Sequence, residues 1–519
     1  MKGTFRQSMA WLHSWAGLLL GWLLFLIFAA GSCAYFQDEI TRWMQPEVRG
    51  APVDPAIAAQ GAVDYLARRA PEATSWYIAL PDARRATTSV FWEVPGGARG
   101  EAQATLDGAG QPVKARDTAG GFFLYRLHFD LHYIPVIFAR YIVGVAAMAM
   151  LLAILSGIVT HKKIFADFFL LRFGKGQRSW LDAHNVTAVL ALPFHLMITF
   201  TGLVTLATLY MPWAITANYT SQDRFFAAAF PQRADSPRSG RHAALAPVAP
   251  MIAQAQRLWG KPPGSIQIAN PGDAAAIVSL TGSSGMQMNA RAATLTFGGV
   301  NGRLRQVSPM PGPARQTEGV MVGLHAGRFA GMGLRWLYFL SALGGTAMVG
   351  TGLVLWVAKR RQKLPDPARP HFGFRLVERL NIAAVAGFPL ALAAYFLANR
   401  LLPVALPNRP AAEINMLFVV WAASAVWSFL RPARRAWCEV MATGAVAYAA
   451  IPIVNALTTD RGLLRSLQTG DTLFASFDLA MLAFAVGWGF AAWQARRSGK
   501  AASGATRARV RRAAKVRAE

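Results

Sequence analysis

Eight mostly apolar runs dominate the sequence, and most have about 20 residues, enough to cross the hydrocarbon core of a bilayer as a helix; the seventh is the shortest. In lipid, only helices and closed barrels satisfy their own backbone polar groups. We therefore predict an α-helical multi-span membrane protein with about eight spans. The runs are residues 11–35, 134–160, 181–210, 334–358, 380–401, 414–430, 440–453 and 473–493.

Two long inserts separate the first four spans, at residues 36–127 and 213–322. Each insert shows one helical pattern followed by short alternating apolar segments, so we expect two small α+β domains. The other predicted segments are span 1 at 1–35, span 2 at 128–162, a cytoplasmic loop at 163–180, span 3 at 181–212, span 4 at 323–358, a second loop at 359–379, a C-terminal four-helix extension at 380–494 and a basic tail at 495–519.

Lysine and arginine are concentrated in the connections that fall on one side of these spans and in the tail. Positively charged loops stay in the cytoplasm. The pattern predicts a multi-pass protein of a bacterial inner membrane with both termini cytoplasmic and both inserts periplasmic. The formal net charge of +27 then reflects topology and attraction to the lipid bilayer, and we expect no nucleic-acid partner.

Histidines are unevenly distributed: seven of the nine lie in or at the ends of the first four spans, and none lies in the last four. Ionisable side chains inside membranes are rare and usually functional, and neutral imidazole is a common metal ligand. The candidate cofactor ligands are therefore His13, His128, His132, His161, His184, His195 and His325. Tryptophans near the span ends, Trp15 and Trp356 among them, are instead predicted to form an interface belt.

An internal duplication is visible in the residue offsets. His13 precedes Gly31 by 18 positions in span 1, and His184 precedes Gly202 by 18 positions in span 3. Arg140 precedes Gly157 by 17 positions in span 2, and Arg335 precedes Gly352 by 17 positions in span 4. A Leu-His pair precedes each even span, at 127–128 and 324–325. The repeated unit is a helix, an insert, a Leu-His pair and a second helix.

Two motifs in the second repeat are specific. One is His184-Asn185, followed by Leu192-Pro193-Phe194-His195-Leu196-Met197-Ile198 and Thr201-Gly202-Leu203; the other is Leu324-His325-Ala326-Gly327-Arg328-Phe329-Ala330-Gly331, followed by Arg335-Trp336-Leu337-Tyr338. Over about residues 5–360 the chain resembles the PepSY-associated transmembrane family, the iron-regulated membrane proteins. The resemblance implies that the inserts are PepSY domains. It also implies kinship with inner-membrane ferrisiderophore reductases that carry two b-type haems.

The histidine spacing supports haem independently. On a continuous helix, the 11 residues between His184 and His195 correspond to about 16 Å of rise and about 20° of rotation. The two rings then share one face and serve two stacked bis-histidine haems. Because His13 and His184 lie at similar depths in matched spans, we expect them to ligate the inner haem.

The outer haem is expected to use His195 with one partner from the periplasmic side: His128, His132 or His325. His325 and His128 rank above His132 because they occupy matched positions in the two repeats. His161 either replaces His13 or binds a haem propionate. The matched arginines Arg140 and Arg335 either contact propionates or siderophore carboxylates, or extend to lipid headgroups.

Two stacked haems predict electron transfer at the periplasmic face to ferric iron, which is expected to be held by a siderophore or another ferric chelate. Oxygen-rich chelators hold Fe(III) far more tightly than Fe(II), so one electron releases the metal and no catalytic acid, base or nucleophile is required. The chain shows no dinucleotide fingerprint in a strand-turn-helix context. We therefore expect the electron donor to be membrane quinol or a cytoplasmic reductase.

Two other functions stay open at this point. The chain is alternatively a non-enzymatic PepSY-type protein, a membrane-anchored binding, regulatory or haem-handling module. The second alternative is a component of an iron or chelate transporter built on the last four spans. In that extension, Asn381, Asn455 and Asp478 are the polar side chains to test.

Overall fold

The computed structural model describes residues 4–50, 53–94, 102–161, 171–172, 174–229, 237–283, 285, 287–308 and 312–516, with side chains to residue 497. Residues 162–170, in and beside the predicted cytoplasmic loop, and residues 517–519 of the predicted tail lie outside this set. The chain divides into two compact units. The helical unit is Met1–Pro46, Arg116–Thr199 and Leu337–Glu519, and the sheet unit is Glu47–Ala115 and Phe200–Trp336.

Helices make up most of the described chain. They are α1 Phe5–Ala34, α2 Gln37–Met44, α3 Pro55–Arg69, α4 Gly120–Asp130, α5 Val136–Thr160, α6 Gln177–Leu190, α7 Leu192–Thr205, α8 Ala207–Tyr210, α9 Trp213–Asn218, α10 Gln222–Ala229, α11 Val248–Trp259, α12 Pro313–Ala326, α13 Met332–Arg361, α14 Phe372–Ile382, a π-helical turn Ala383–Gly387, α15 Phe388–Leu401, α16 Arg409–Leu430, α17 Ala433–Thr458, α18 Leu463–Thr469 and α19 Thr472–Val516.

Among the described residues, seven helices are long and apolar enough to cross a membrane, and a bent pair raises the number to eight. Together they cover all eight predicted apolar runs. Spans 1, 2 and 4 are α1, α5 and α13, span 3 is the pair α6 and α7, and span 5 is the continuous stretch Phe372–Leu401. Spans 6, 7 and 8 are α16, α17 and Thr472–Arg497 of α19.

Span 3 is broken, which corrects the expectation of a continuous helix. Its two halves, α6 and α7, meet at Ala191 and bend by 68°. Pro193 stands in the first turn of the second half, where its ring would collide with the carbonyl of an uninterrupted helix and its nitrogen has no hydrogen to donate. The rotation of about 20° predicted between His184 and His195 for a continuous helix therefore does not apply.

The described part of the sheet unit holds a seven-stranded antiparallel sheet with the strand order β3-β2-β1-β4-β5-β6-β7. The strands are β1 Ser75–Ala79, β2 Thr88–Glu93, β3 Gln103–Leu106, β4 Pro263–Ala269, β5 Ile277–Gly282, β6 Thr294–Gly298 and β7 Leu304–Val307. Strands β1 to β3 come from the first insert and β4 to β7 from the second. They join where Tyr77 of β1 lies opposite Gln267 of β4.

The two inserts therefore share one sheet instead of forming two separate small domains. Helices α3 and α11, which both match predicted helices, contribute Leu66 and Ile252 to the same buried core as the strand residues Ile78 and Ile268. A small domain buries a smaller fraction of its surface than a large one. By sharing a sheet and a core, the two inserts form one larger core.

The C-terminal spans carry buried charges that are paired with one another. Arg409 and Glu413, one turn apart on α16, are fully buried and form an ion pair. The Glu413 carboxylate also accepts hydrogen bonds from Asn399 Nδ2 at 2.7 Å and from Thr118 Oγ1 at 2.6 Å. These bonds connect spans 5 and 6 to the segment that leads into α4.

A second set of buried polar groups involves all three residues that sequence analysis singled out in the extension. Asp478 accepts hydrogen bonds from Trp43 Nε1 at 3.1 Å and from Asn455 Nδ2 at 3.0 Å. Asn381 accepts one from Trp22 Nε1 at 2.8 Å and donates one to the Leu353 carbonyl at 2.9 Å. Each of these side chains links the extension to helices of the first half or to another C-terminal span.

Candidate cofactor site

Two of the predicted ligands face each other within the helical unit. The ring centres of His13 in α1 and His184 in α6 lie 6.1 Å apart, and their planes cross at 70°. A metal held between two imidazole nitrogens at about 2 Å from each places the ring centres roughly 6 Å apart. The observed spacing therefore suits one metal with an imidazole on either side.

Each ring of this pair is fixed by one nitrogen. His13 Nδ1 lies 2.8 Å from the carbonyl oxygen of Ala153, and His184 Nδ1 lies 2.8 Å from that of Met348. A carbonyl only accepts, so Nδ1 carries the hydrogen and donates, which leaves the lone pair of Nε2 available to a metal. Metal-binding histidines are commonly oriented in this way.

Matched glycines make room for the two rings. A Cβ atom on Gly157 would lie 3.3 Å from Cε1 of His13, and one on Gly352 would lie 3.1 Å from Cε1 of His184. Each glycine follows the carbonyl residue that its histidine contacts by four positions, so each ring rests on one turn of the facing helix. The two repeats therefore position His13 and His184 in the same way, each against a carbonyl and a glycine of the facing helix.

The donor set fits an axial pair. Among the described residues, no group of three or more His, Cys, Asp or Glu side chains is placed to hold a metal ion. A haem iron requires only two protein ligands because the porphyrin supplies the other four. The pair of His13 and His184 meets that requirement.

His195 is fully buried in the helical unit. Its Nε2 lies 3.3 Å from the carbonyl oxygen of Ser341, and Phe28 packs against its ring with centres 6.2 Å apart. Its Nδ1 is buried without a hydrogen-bond partner of normal geometry in the described part of the chain. A Cβ on Gly345 would approach its Nε2 to 3.2 Å.

His128 and His325 occupy equivalent places in the two repeats. In the helical unit, a Cβ on Gly31 would lie 3.9 Å from His128, whose Nδ1 contacts the carbonyl of Tyr125. In the sheet unit, a Cβ on Gly202 would lie 2.9 Å from His325, whose Nδ1 is 3.3 Å from the hydroxyl of Thr201. Each histidine of the Leu-His pairs thus faces one of the two equivalent glycines, Gly31 in the first repeat and Gly202 in the second.

His132 lies in the short connection between α4 and α5. Its neighbours Leu131 and Tyr133 have φ angles of 42° and 69°, in the left-handed region that non-glycine residues seldom adopt. Its ring stacks on Phe418 with centres 5.7 Å apart, and partial desolvation lowers the pKa of its imidazole. The corresponding connection in the second repeat, between α12 and α13, also has five residues but contains no histidine.

The remaining predicted residues have protein partners. His161 caps the end of α5, and its Nε2 lies 3.0 Å from the amide nitrogen of Asn185. Since His13 itself faces His184, His161 does not replace it there. Arg140 donates to Asp130 at 2.9 Å, and Arg335, which is buried, donates to the Ala330 carbonyl at 3.0 Å.

A family model described as the PepSY-associated TM region matches residues 10–359. The chain belongs to this family. None of the curated proteins compared with the chain matches it. The PepSY-associated match covers both repeats, including the facing histidines and their glycines, and ends just before the end of α13. Together with the apolar helices, it identifies a multi-span membrane protein whose C-terminal spans lie beyond the matched region.

Proposed function

We propose that this protein is a haem-dependent electron-transfer protein of the bacterial inner membrane that reduces ferric iron, presented as a ferrisiderophore or another ferric chelate, at the periplasmic face. The observation that carries the proposal is the facing pair of His13 and His184, with ring centres 6.1 Å apart and both Nδ1 atoms held by carbonyls. A bound b-type haem would supply a one-electron carrier at that position.

The protein's own residues have defined tasks in this proposal. The carbonyls of Ala153 and Met348 orient the two rings and increase the basicity of Nε2. Neutral imidazoles bring no net charge into the bilayer, where an unpaired charge is costly. The glycines at 157 and 352 let the helices approach so closely that both rings reach one metal.

A second haem stays a prediction. Its expected ligands are His195 with His325, His128 or His132, and a ligand scan by single alanine substitutions tests them one at a time. The direction of electron flow rests on the charge distribution, which predicts cytoplasmic termini. Membrane quinol and a cytoplasmic reductase both suit as electron donors at that side.

Reduction of the iron requires little further chemistry from the protein. The iron of the chelate gains one electron and changes from Fe(III) to Fe(II), for which hard anionic oxygen ligands have lower affinity. The bound chelate then releases the metal without bond cleavage in the chelator. A protein with this task needs a route for electrons and a docking face, and no acid, base or nucleophile.

Spectroscopy of the purified full-length chain tests the proposal. We expect bis-histidine b-type haem that dithionite reduces and that a ferric siderophore then reoxidises under anaerobic conditions. Haem that binds but is not oxidised by any ferric chelate would favour the haem-handling alternative. Protein purified from haem-replete cells without any haem would remove the redox proposal altogether.

A further inference from the structure

Two ring nitrogens occupy equivalent positions in the repeats, beside the facing histidines. His161 follows Gly157 by four residues, and Trp356 follows Gly352 by four residues. The two glycines are those that back His13 and His184. Four residues correspond to about 6 Å along a helix, so both rings lie about one turn beyond the pair, toward the C-terminal ends of α5 and α13.

Both nitrogens are buried and have no hydrogen-bond partner among the described residues. Trp356 Nε1 always carries a hydrogen and only donates. In His161, Nε2 accepts from the Asn185 amide nitrogen at 3.0 Å, so in the neutral ring the hydrogen is on Nδ1, the nitrogen without a partner. Buried donors without an acceptor are uncommon, and each calls for an explanation.

A guanidinium group accompanies each donor. The guanidinium carbon of Arg360 lies 3.8 Å from the ring centre of Trp356, and in the described part of the chain Arg360 forms no ion pair with a carboxylate. Arg6 donates from Nε to the carbonyl of Thr160, next to His161, at 2.8 Å. Each side therefore combines an N–H donor with a positive charge, and neither side has an anionic acceptor among the residues that the structure describes.

We propose that His161 with Arg6, and Trp356 with Arg360, bind the two propionate carboxylates of a porphyrin whose iron is ligated by His13 and His184. This inference rests on the proposed function. An N–H donor without an acceptor and a nearby cation without a carboxylate suit an anionic oxygen, and charge-assisted hydrogen bonds of this kind are the strong ones. One such site accompanies each histidine of the pair, which matches the two carboxylates of one porphyrin.

The test compares two porphyrins on full-length protein expressed without haem. Protohaem carries free propionates, whereas its dimethyl ester has the same iron and ring with neutral side chains. We expect protohaem to bind at least roughly tenfold more tightly to the unmodified protein. Trp356→Phe and His161→Phe keep a ring and remove the N–H donor, and each should reduce this preference severalfold, as should Arg360→Met.

Lys359→Met is the matched control, because it removes one positive charge from the same helix end without touching Trp356. It should leave the preference unchanged. The dimethyl ester should bind equally to all variants with a bis-histidine spectrum, which shows that the fold is intact. Loss of affinity for both porphyrins to the same extent would mean that these residues only support the fold, and the inference would be wrong.

Two other results would also overturn it. Equal affinity of the unmodified protein for both porphyrins would exclude a carboxylate site. If the variants keep the preference for protohaem but accept electrons more slowly from a soluble quinol, the N–H donors of His161 and Trp356 would instead bind a quinone. If neither porphyrin gives a bis-histidine spectrum, the proposed function itself fails, and that outcome is distinct from the other three.

Discussion

The two halves of the helical region differ in whether certain buried polar groups have hydrogen-bond partners. In the C-terminal extension, Glu413 is paired with Arg409 and receives further hydrogen bonds, and Asp478 is bound by Trp43 and Asn455. In the first half, the ring nitrogens His161 Nδ1 and Trp356 Nε1 are buried and have no hydrogen-bond partner among the described residues. The C-terminal groups named above satisfy one another and stabilise the helix assembly, whereas these two donors are available to a bound ligand.

This contrast also bears on the transporter alternative. An ion path requires polar groups that exchange partners, and the polar residues singled out in the extension, Asn381, Asn455 and Asp478, all hold protein partners at 2.8 to 3.1 Å. Breaking these bonds should therefore affect stability, and breaking the histidine pair should affect cofactor content. Four substitutions separate the two kinds of effect.

The largest effect is expected from His184→Ala, which removes one of the two facing ligands. With two haems bound, about half of the haem absorbance should disappear, because a single histidine holds the metal much less firmly. Pyridine haemochrome quantification of the purified protein measures this. His242→Ala, on an exposed residue outside the spans, is the control and should keep full absorbance; an unchanged spectrum for His184→Ala would remove this residue from the ligand set.

The next largest is Glu413→Ala, which leaves the buried Arg409 guanidinium without its carboxylate. Loss of one partner of a buried ion pair typically costs about 3–5 kcal/mol of stability. The denaturation midpoint in detergent should fall clearly while the haem absorbance of the folded fraction stays constant. The double variant Arg409→Met/Glu413→Leu should regain much of the lost stability. If Glu413→Ala has the same denaturation midpoint as the unmodified protein, the ion pair has no structural role.

Asn381→Leu should have a smaller effect on stability. It leaves the Trp22 N–H and the Leu353 carbonyl without their bonds of 2.8 and 2.9 Å, and unsatisfied buried groups cost about 1–3 kcal/mol. Thermal unfolding followed by circular dichroism measures the change. A loss of haem with normal stability would instead mean that Asn381 supports cofactor binding and contributes little to stability.

The smallest effect is expected from Gly352→Ala. The added Cβ would lie 3.1 Å from Cε1 of His184, so the ring must move by a few tenths of an ångström. We expect haem binding to weaken by about 1 kcal/mol, the lower end of the cost of overpacking. Haem titration of the apoprotein measures the shift. Gly344→Ala on the same helix is the control, since no atom lies within 4 Å of its added Cβ; equal effects at both positions would mean that only helix packing is being measured.

Sequence analysis predicted the features that depend on local pattern. The apolar runs correspond to spans, and the offset rule that matched His13 with His184 and Gly157 with Gly352 describes the observed pair. The same rule matches Trp356 with His161, although a tryptophan near a span end is also typical of an interface belt. The break in span 3 is readable from Pro193, because an uninterrupted helix does not accommodate the proline ring.

Other features are not local and could not be read from the sequence. Pairing of β1 with β4 joins strands about 190 residues apart, and no short pattern specifies which edges meet. The Glu413 network combines residues from the loop before α4 and from two later spans. Such contacts depend on how the helices assemble, which residue spacing alone does not determine.

The join between β1 and β4 has a consequence for the history of the chain and for its dissection. Each half of the duplication presents an open strand edge to its twin, and in a single copy that edge would be free to pair with a second copy. A fragment truncated after the first repeat would recreate this situation. Its exposed β1 edge would recruit a second copy or aggregate, and the two repeats are therefore best regarded as one obligate pair encoded in a single polypeptide.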